Sequence, residues 1–542
     1  MRSLSDRTDL LRSRARADPG GLAVDDRGSR VVLTWAGLDR EADLAASALA
    51  GLGARRGDRV AIAAPAGSDF AAALHGAARL GASLVPLSPR GRAAELALPL
   101  ASCRPRVTLG WGTGTVAALD AALARGPGGT ASELAELRRR SGEPGATGPG
   151  VSDPHGLAAR DELCVVHTSG TTGRPRGVRL TLDNQVASAR GCAESLGLLP
   201  SDHWLLALAP HHIGGLAVLV RSAVLGHPVT IIPRFDEAAV LAALTPGGPT
   251  VVPLVPTMLA RLVAAGGTGR LRRLHAVLLG GAPATPADLE GWCRAGIPVC
   301  PTYGLTETGS QVATVSPGSA TAMGAGAGRP HRFARLRILA EDGGRRPVAP
   351  GHPGRIEVRG RVISPGYVGA DPGDGPDEGP GHGRFLTRDR GRIDADGLLH
   401  VLGRVDDAIL SGGETVHPEE VEAVLLAHPL VRDAAVVGLP DRLWGRRVVA
   451  VLVTDPASRP EAERLLPAFC RAELSGSRLP RGWVFAEQLP RSEGGKLRRG
   501  ELVEQVRRAE RAQAAGGARP RAETADPPGA PRERPGVRPG GR

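Results

Sequence analysis

Lysine is all but absent from this 542-residue sequence: among its 68 Lys and Arg residues a single one, Lys496, is lysine. A coding bias toward Arg, Ala, Gly and Pro explains the general scarcity, and it makes position 496 conspicuous. The six cysteines, at 103, 164, 192, 293, 300 and 470, form no CxxC pair. In a chain of this length that excludes a disulfide framework and reads as reduced thiols of a cytoplasmic protein. The opening MRSLSDRTDLLRSRARADPG lacks the apolar core of a secretion signal. No apolar run reaches the roughly 18 residues that a membrane span needs, so membrane insertion is excluded. Aromatic residues make up only 3%, and no basic stripe is interleaved with them. The net charge of +12 is spread along the chain, part of it in residues 513–542, where six Arg face three acidic residues. Without clustering it does not mark a nucleic-acid partner. What remains is a 42% apolar chain, too long for one core, and therefore two or more domains.

Helical and strand-like stretches alternate from the start. TWAGLDREADLAASALAGLG has helical apolar spacing and ends in Gly, DRVAIAA reads as a strand, DFAAALHGAARLGA as a helix and SLVPLSP as a strand. Residues 126–160 have the composition of a surface loop. Beyond them LCVVHTS, HWLLALAP, HPVTIIP, TVVPLVP and HAVLLGGAP are short apolar strands. This alternation predicts an α/β fold of layered sheets. From residue 403 the pattern becomes turn, strand, helix, strand, a compact α+β unit. The predicted organisation is a large domain over 1–402, a smaller α+β domain over 403–508, and a tail over 509–542 too poor in apolar residues to order itself.

The stretch HTSGTTGRPRGV, His167–Val178, follows the apolar strand LCVV. Its glycines and its Ser and Thr hydroxyls let backbone N–H groups and side chains turn inward around a polyanion, and Arg174 and Arg176 add positive charge. It is not the GxxxxGK[ST] phosphate loop. TSGTTGRPRGV resembles the phosphate-loop signature of the adenylate-forming enzymes, the superfamily of acyl-CoA synthetases, luciferases and peptide-synthetase adenylation domains, with Arg where that family usually has Lys. The resemblance extends over about residues 20–505. It is carried also by VVPLVPTMLARLV (251–263), LLGGAPAT (278–285), PTYGLTETG (301–309), RFLTRDRGRIDADGLLHVLGRVDDAI (384–409), SGGETVHPEEVE (411–422) and LPRSEGGKLRRGEL (489–502).

The resemblance implies a large domain with a mobile lid, ATP, Mg²⁺ and coenzyme A as cofactors, and acyl-AMP formation followed by transfer to a thiol. It implies that Thr168, Ser169, Gly170, Thr171, Thr172, Gly173 and Arg176 hold phosphate, and that Gly281, Ala282, Tyr303 and Gly304 border adenine. Thr306 meets the α-phosphate, and Glu307 is the Mg²⁺ ligand, since hard Mg²⁺ prefers carboxylate and phosphate oxygens. Asp389 binds the ribose, since one carboxylate can accept from both hydroxyls, and Arg404 is a second ribose or phosphate contact. The family usually has Thr-Gly-Asp there, and this chain has Thr387, Arg388 and Asp389. Lys496 neutralises the reacting oxygens, at a crowded point where a compact ammonium fits better than a planar guanidinium. Asp406 is the hinge, and Gly412 and Gly413 line the thiol tunnel.

PHHIGGLAVLVRSAVLGHPV (210–229) is an apolar helical stretch containing Arg221. A guanidinium there is costly unless it meets an anion; that anion is either a protein carboxylate or a substrate. This stretch, with YGLTETGSQVATVSP, is similar to the o-succinylbenzoate–CoA ligases of menaquinone synthesis, whose acid carries two carboxylates. On that resemblance His212, Arg221, Ser310, Gln311 and Thr314 border the acid. The alternatives are another aryl- or fatty-acyl-CoA synthetase, an adenylation enzyme loading a carrier protein, or a non-catalytic nucleotide binder.

Overall fold

The structure is a computed structural model and describes residues 8–125, 131–134, 156–168, 175–320, 326–341, 345–369, 380–474, 476–492 and 495–515. The predicted loop residues Ser169, Gly170, Thr171, Thr172 and Gly173, and the tail beyond 515, lie outside this set.

The chain divides into two units. One runs to Asp407 and includes Arg491–Lys496; the other comprises Ala408–Pro490 and the residues from Leu497 on. The division therefore falls a few residues beyond the expected 402/403. Asp406 explains the difference. Its carboxylate accepts from Arg388 at 3.1 Å and Arg404 at 3.3 Å, which ties the 3₁₀ turn Val405–Asp407 to the sheet that carries both arginines.

The first unit is built on two large sheets and one smaller one. A nine-stranded sheet has the parallel strands Leu22–Asp26, Val229–Ile231, Trp204–Leu206, Val251–Leu254, Ala276–Leu279 and Val299–Leu305 at its centre, with antiparallel strands at both edges. A six-stranded sheet ends in the antiparallel pair Glu162–Thr168 and Arg176–Thr181. Strands such as Val251–Leu254 and Ala276–Leu279 are buried along their whole length, so they read as continuous apolar runs rather than alternating ones. A four-stranded antiparallel sheet joins Ala334–Leu339, Gly354–Gly360, Arg384–Ile393 and Leu399–Arg404. One buried charge is paired three ways: Arg79, fully buried, bonds Asp9, Asp39 and Asp43 from two other helical segments. Among the described residues of the predicted loop 126–160, Ser132–Glu133 form a short strand added to the edge strand Val107–Gly110.

The second unit has a three-stranded sheet, Asp433–Asp441, Gly445–Val453 and Gly482–Phe485, with helices Pro418–Leu426, Arg459–Glu473 and Arg499–Ala515. The last helix extends into the predicted tail and corrects its start. Leu502 and Val506, one turn apart, are buried against the sheet, and Glu510 pairs with Arg447, so helix persists to Ala515.

Candidate functional site

The site lies at the carboxyl end of the parallel strands, where ligands of open α/β sheets are bound. Strand Val299–Leu305 leaves the sheet, makes the 3₁₀ turn Thr306–Thr308, and returns antiparallel as Ser310–Thr314. Gly304 must be glycine: a Cβ there would stand 2.2 Å from the Ser310 carbonyl oxygen. Gly309, with φ +67°, closes the turn. The Thr308 hydroxyl accepts the Leu305 N–H at 3.0 Å and donates to the Ser310 carbonyl at 2.8 Å. Helix Leu182–Leu196 clamps the turn from outside, Gln185 donating to the Gly309 carbonyl at 3.0 Å and Ser188 at 3.3 Å.

Two buried carboxylates face this turn, and each carries a tyrosine. Tyr367 donates its hydroxyl to Glu307 at 2.9 Å, and Tyr303 donates to Asp389 at 2.7 Å. These are the only two tyrosines in the sequence. Burial pushes the Glu307 carboxyl above its ordinary value, and nearby Asp389 adds to the shift. The Tyr367 bond and the Lys496 ammonium oppose it. Burial and the neighbouring carboxylate likewise push both phenols up, so both stay protonated donors. Arg404 reaches Asp389 at 3.8 Å across the strand pair in which the two residues are direct neighbours. The expected Thr-Gly-Asp turn is here an extended strand. Thr387 and Asp389 face inward and Arg388 outward to Asp406, so no glycine is needed.

Lys496 is exposed and lies in the segment Arg491–Lys496. The segment is folded on itself, Ser492 N–H donating to the Lys496 carbonyl at 2.8 Å and Gly495 N–H to the Ser492 carbonyl at 2.8 Å. Gly495, with φ +77°, packs where a Cβ would be 3.4 Å from that of Ala282. Gly281 (φ +83°) and Ala282 follow strand Ala276–Leu279, so the lysine, the predicted adenine-side segment and Glu307 belong to one neighbourhood. Thr168 and Arg176 are cross-strand partners at the two ends of the predicted phosphate loop. The Arg176 guanidinium lies 4.9 Å from the Tyr367 ring centre.

The residues predicted to border the acid separate. Arg221, 1% exposed on helix Ile213–Leu225, donates to Ser310 Oγ at 2.8 Å and to Gln311 Oε1, with the Trp204 ring 5.5 Å away. No carboxylate pairs with it among the described residues, and its buried Nε–H has no partner there. Ser310 is held at φ +148°, a strained value for a non-glycine residue. His331 supports Gln311 from behind, its Nε2 at 3.2 Å from the Gln311 carbonyl while its Nδ1 accepts the Phe333 N–H. Thr314 is not part of this group. Its hydroxyl meets that of Thr302 at 2.9 Å, further along the hairpin. His212 is exposed at the start of the Arg221 helix, its ring 4.4 Å from that of His211.

Residues 11–368 match the AMP-binding enzyme family, and residues 420–496 match the AMP-binding enzyme C-terminal domain. The chain belongs to the AMP-binding enzymes. It is 34% identical over 503 residues to the 2-succinylbenzoate–CoA ligase of Bacillus licheniformis, a span of 92% of this chain and all of that one. Identity to the Geobacillus kaustophilus enzyme of the same name is 35% over 501 residues, 91% of this chain and 96% of the relative. Among solved structures, o-succinylbenzoate CoA synthetase from Bacillus subtilis in complex with its acyl-adenylate intermediate superposes with a TM-score of 0.79 at 29% identity, covering 92% and 98% of the two chains.

In the second unit of this AMP-binding enzyme, the predicted tunnel glycines form the tip of the hairpin Ile409–Ser411 and Glu414–Val416. Gly412 and Gly413 have φ +58° and +83°, the double left-handed geometry that a tight hairpin turn requires. Gly412 also lies under Trp444, where a Cβ would be 2.8 Å from the indole. Sequence reading did not single out Tyr367, Trp204, Trp444 or helix Leu182–Leu196. Rarity was the available signal for Tyr367: a chain with two tyrosines places both on carboxylates of one site.

Proposed function

We propose that this AMP-binding enzyme is an AMP-forming, ATP-dependent carboxylate–CoA ligase whose acid is a dicarboxylic aryl acid of the o-succinylbenzoate class. The observation that carries the choice of acid is Arg221, a buried guanidinium with no carboxylate partner among the described residues, held toward the substrate side by Ser310 and Gln311. A buried cation without an anion is costly, and the second, unreacted carboxylate of such an acid supplies one.

The first half-reaction joins the other carboxylate oxygen to the α-phosphorus of ATP and breaks that phosphorus's bond to pyrophosphate. In the second, the CoA sulfur attacks the acyl carbon, the bond to AMP breaks, and the thiol proton passes to solvent or to AMP. Lys496 neutralises the oxygens at the reacting centre in the first step; preorganised charge of this kind is the largest single contribution in many enzymes. Asp389, oriented by Tyr303 and Arg404, accepts from the ribose hydroxyls. Glu307 fits a magnesium ion: it is a buried hard oxygen donor whose charge burial disfavours. No group of three or more metal-ligating side chains occurs among the described residues, which suits an ion held by one carboxylate and nucleotide phosphates. Bound there, Mg²⁺ offsets phosphate charge. Gly412 and Gly413 give a thiol arm close access to backbone. No helix among the described residues is long and apolar enough to cross a membrane, and six free cysteines, five of them buried, suit the reducing cytoplasm.

Pyrophosphate release over a panel of acids tests the proposal, with CoA and a pantetheinylated carrier protein as alternative acceptors. The expected result is turnover with o-succinylbenzoate and CoA well above all other combinations. Preference for a monocarboxylic acid overturns the acid assignment, and preference for the carrier overturns the acceptor.

A further inference from the structure

We propose that Tyr367 is a positioning residue that sets the Glu307 carboxylate for the metal and ties it to the strand leaving the phosphate loop; this rests on the reading of Glu307 as the metal carboxylate. Three contacts carry the inference. The Tyr367 hydroxyl donates to Glu307 Oε1 at 2.9 Å. Its backbone is fixed to the exit strand Arg176–Thr181, since Tyr367 bridges Val178 antiparallel and the Val368 N–H donates to the Gly177 carbonyl at 2.8 Å. Its ring carries the Arg176 guanidinium at 4.9 Å. One side chain thus touches the cation flanking the phosphate loop through its face and the candidate metal ligand through its edge.

The Glu307 carboxylate also meets its own backbone N–H and feels the Lys496 ammonium, and one further support acts on the backbone. The Ser364 N–H donates to the Glu307 carbonyl at 2.9 Å, which places the residue. Among the described residues Tyr367 makes the side-chain hydrogen bond that orients those oxygens. A hydrogen bond to one oxygen of a ligating carboxylate leaves the other directed to the ion, and losing such an outer partner typically costs about 10–100-fold in metal affinity. Phosphate drawing Arg176 inward would load the ring face, and metal would load the carboxylate, so the two ligands share one rigid connector.

The test uses the full-length enzyme with ATP and no acid, so that nothing turns over. Free Mn²⁺ is measured by electron paramagnetic resonance against wild type, Tyr367→Phe, Glu307→Gln and the double variant, with thermal unfolding of each. Tyr367→Phe keeps the ring under Arg176 and removes only the hydroxyl. It is expected to weaken Mn²⁺ binding about 10-fold, with ATP affinity in the absence of metal moved less than 3-fold. In the Glu307→Gln background the same change should add nothing, because the effect passes through that carboxylate. Wild-type Mn²⁺ affinity in Tyr367→Phe with loss in Glu307→Gln overturns the Tyr367 assignment, and so does an additive loss in the double variant. Unchanged Mn²⁺ affinity in Glu307→Gln overturns the reading of Glu307 beneath it.

Discussion

Arg221→Leu isolates the feature on which the choice of acid depends. The guanidinium has two hydrogen-bond acceptors, Ser310 Oγ and Gln311 Oε1, and a buried Nε–H without a partner among the described residues. A carboxylate arriving there forms a charge-assisted pair. Hydrogen bonds to charged groups contribute about 1.5–3 kcal/mol each, so a two-point contact is worth about 3–6 kcal/mol, or roughly 10²–10⁴-fold at about 1.4 kcal/mol per tenfold. Leucine fills much of the aliphatic volume, so the apolar helix Ile213–Leu225 should keep its packing. Its own cost is the loss of partners for Ser310 and Gln311, about 1–3 kcal/mol of stability. The assay is pyrophosphate release with o-succinylbenzoate and with the same ketoacid lacking the ring carboxylate. kcat/KM for the dicarboxylate should fall by at least about 10², carried mostly by KM, while the monocarboxylate changes less than about 5-fold. Equal losses for both acids would mean that Arg221 serves only the protein, as an internal tie between its helix and the hairpin.

Lys496→Ala should cut acyl-AMP formation by about 10²–10³, the usual loss for one electrostatic donor, while CoA transfer from supplied acyl-AMP falls far less; equal losses in separate half-reaction assays would count against its role. Gly412→Ala should destabilise the second unit more than Gly413→Ala in thermal unfolding. Both pay about 1–2 kcal/mol for a left-handed residue, but only the first also drives a methyl into Trp444. Asp26 gives a pH prediction. Burial alone would raise its carboxyl, yet bonds from the Ser68 N–H and from Ser29 hold it below 3.8. Its contribution is therefore present above that value and is lost as pH falls through the lowered folded value. Asp26→Asn should cost about 1.5–3 kcal/mol at pH 7 in urea unfolding, and the gap from wild type should close below about pH 3.8. A gap constant from pH 7 to 3 would refute the assignment.

Sequence pattern exposed the parallel strands because strands buried on both faces leave unbroken apolar runs, as in Val251–Leu254 and Ala276–Leu279. It also exposed residues whose chemistry needs a fixed local spacing, such as Glu307 beside Thr306. It missed what depends on distant pairings. Nothing near Tyr367 in sequence announces a carboxylate sixty residues away, and nothing in the Gln185 helix announces that it grips the Gly309 carbonyl. It also missed the cross-strand partner of Thr314, Thr302, which linear proximity to Gln311 conceals.

These facts bear on why one lysine and two tyrosines survive in a chain that is otherwise so arginine-rich and aromatic-poor. On the proposed phosphate role an arginine at 176 can replace lysine, because either cation serves. At 303 and 367 the requirement is a flat, apolar ring ending in a donor that stays protonated beside a carboxylate. Phenylalanine lacks the donor, and histidine would bring a variable charge next to Glu307 or Asp389. At 496 the proposed role requires a cation narrow enough to enter among oxygens already engaged. Coding bias can move residues freely where charge or bulk suffices and stalls where shape and a specific proton are both needed. In a sequence this biased, the rare residue types trace the site.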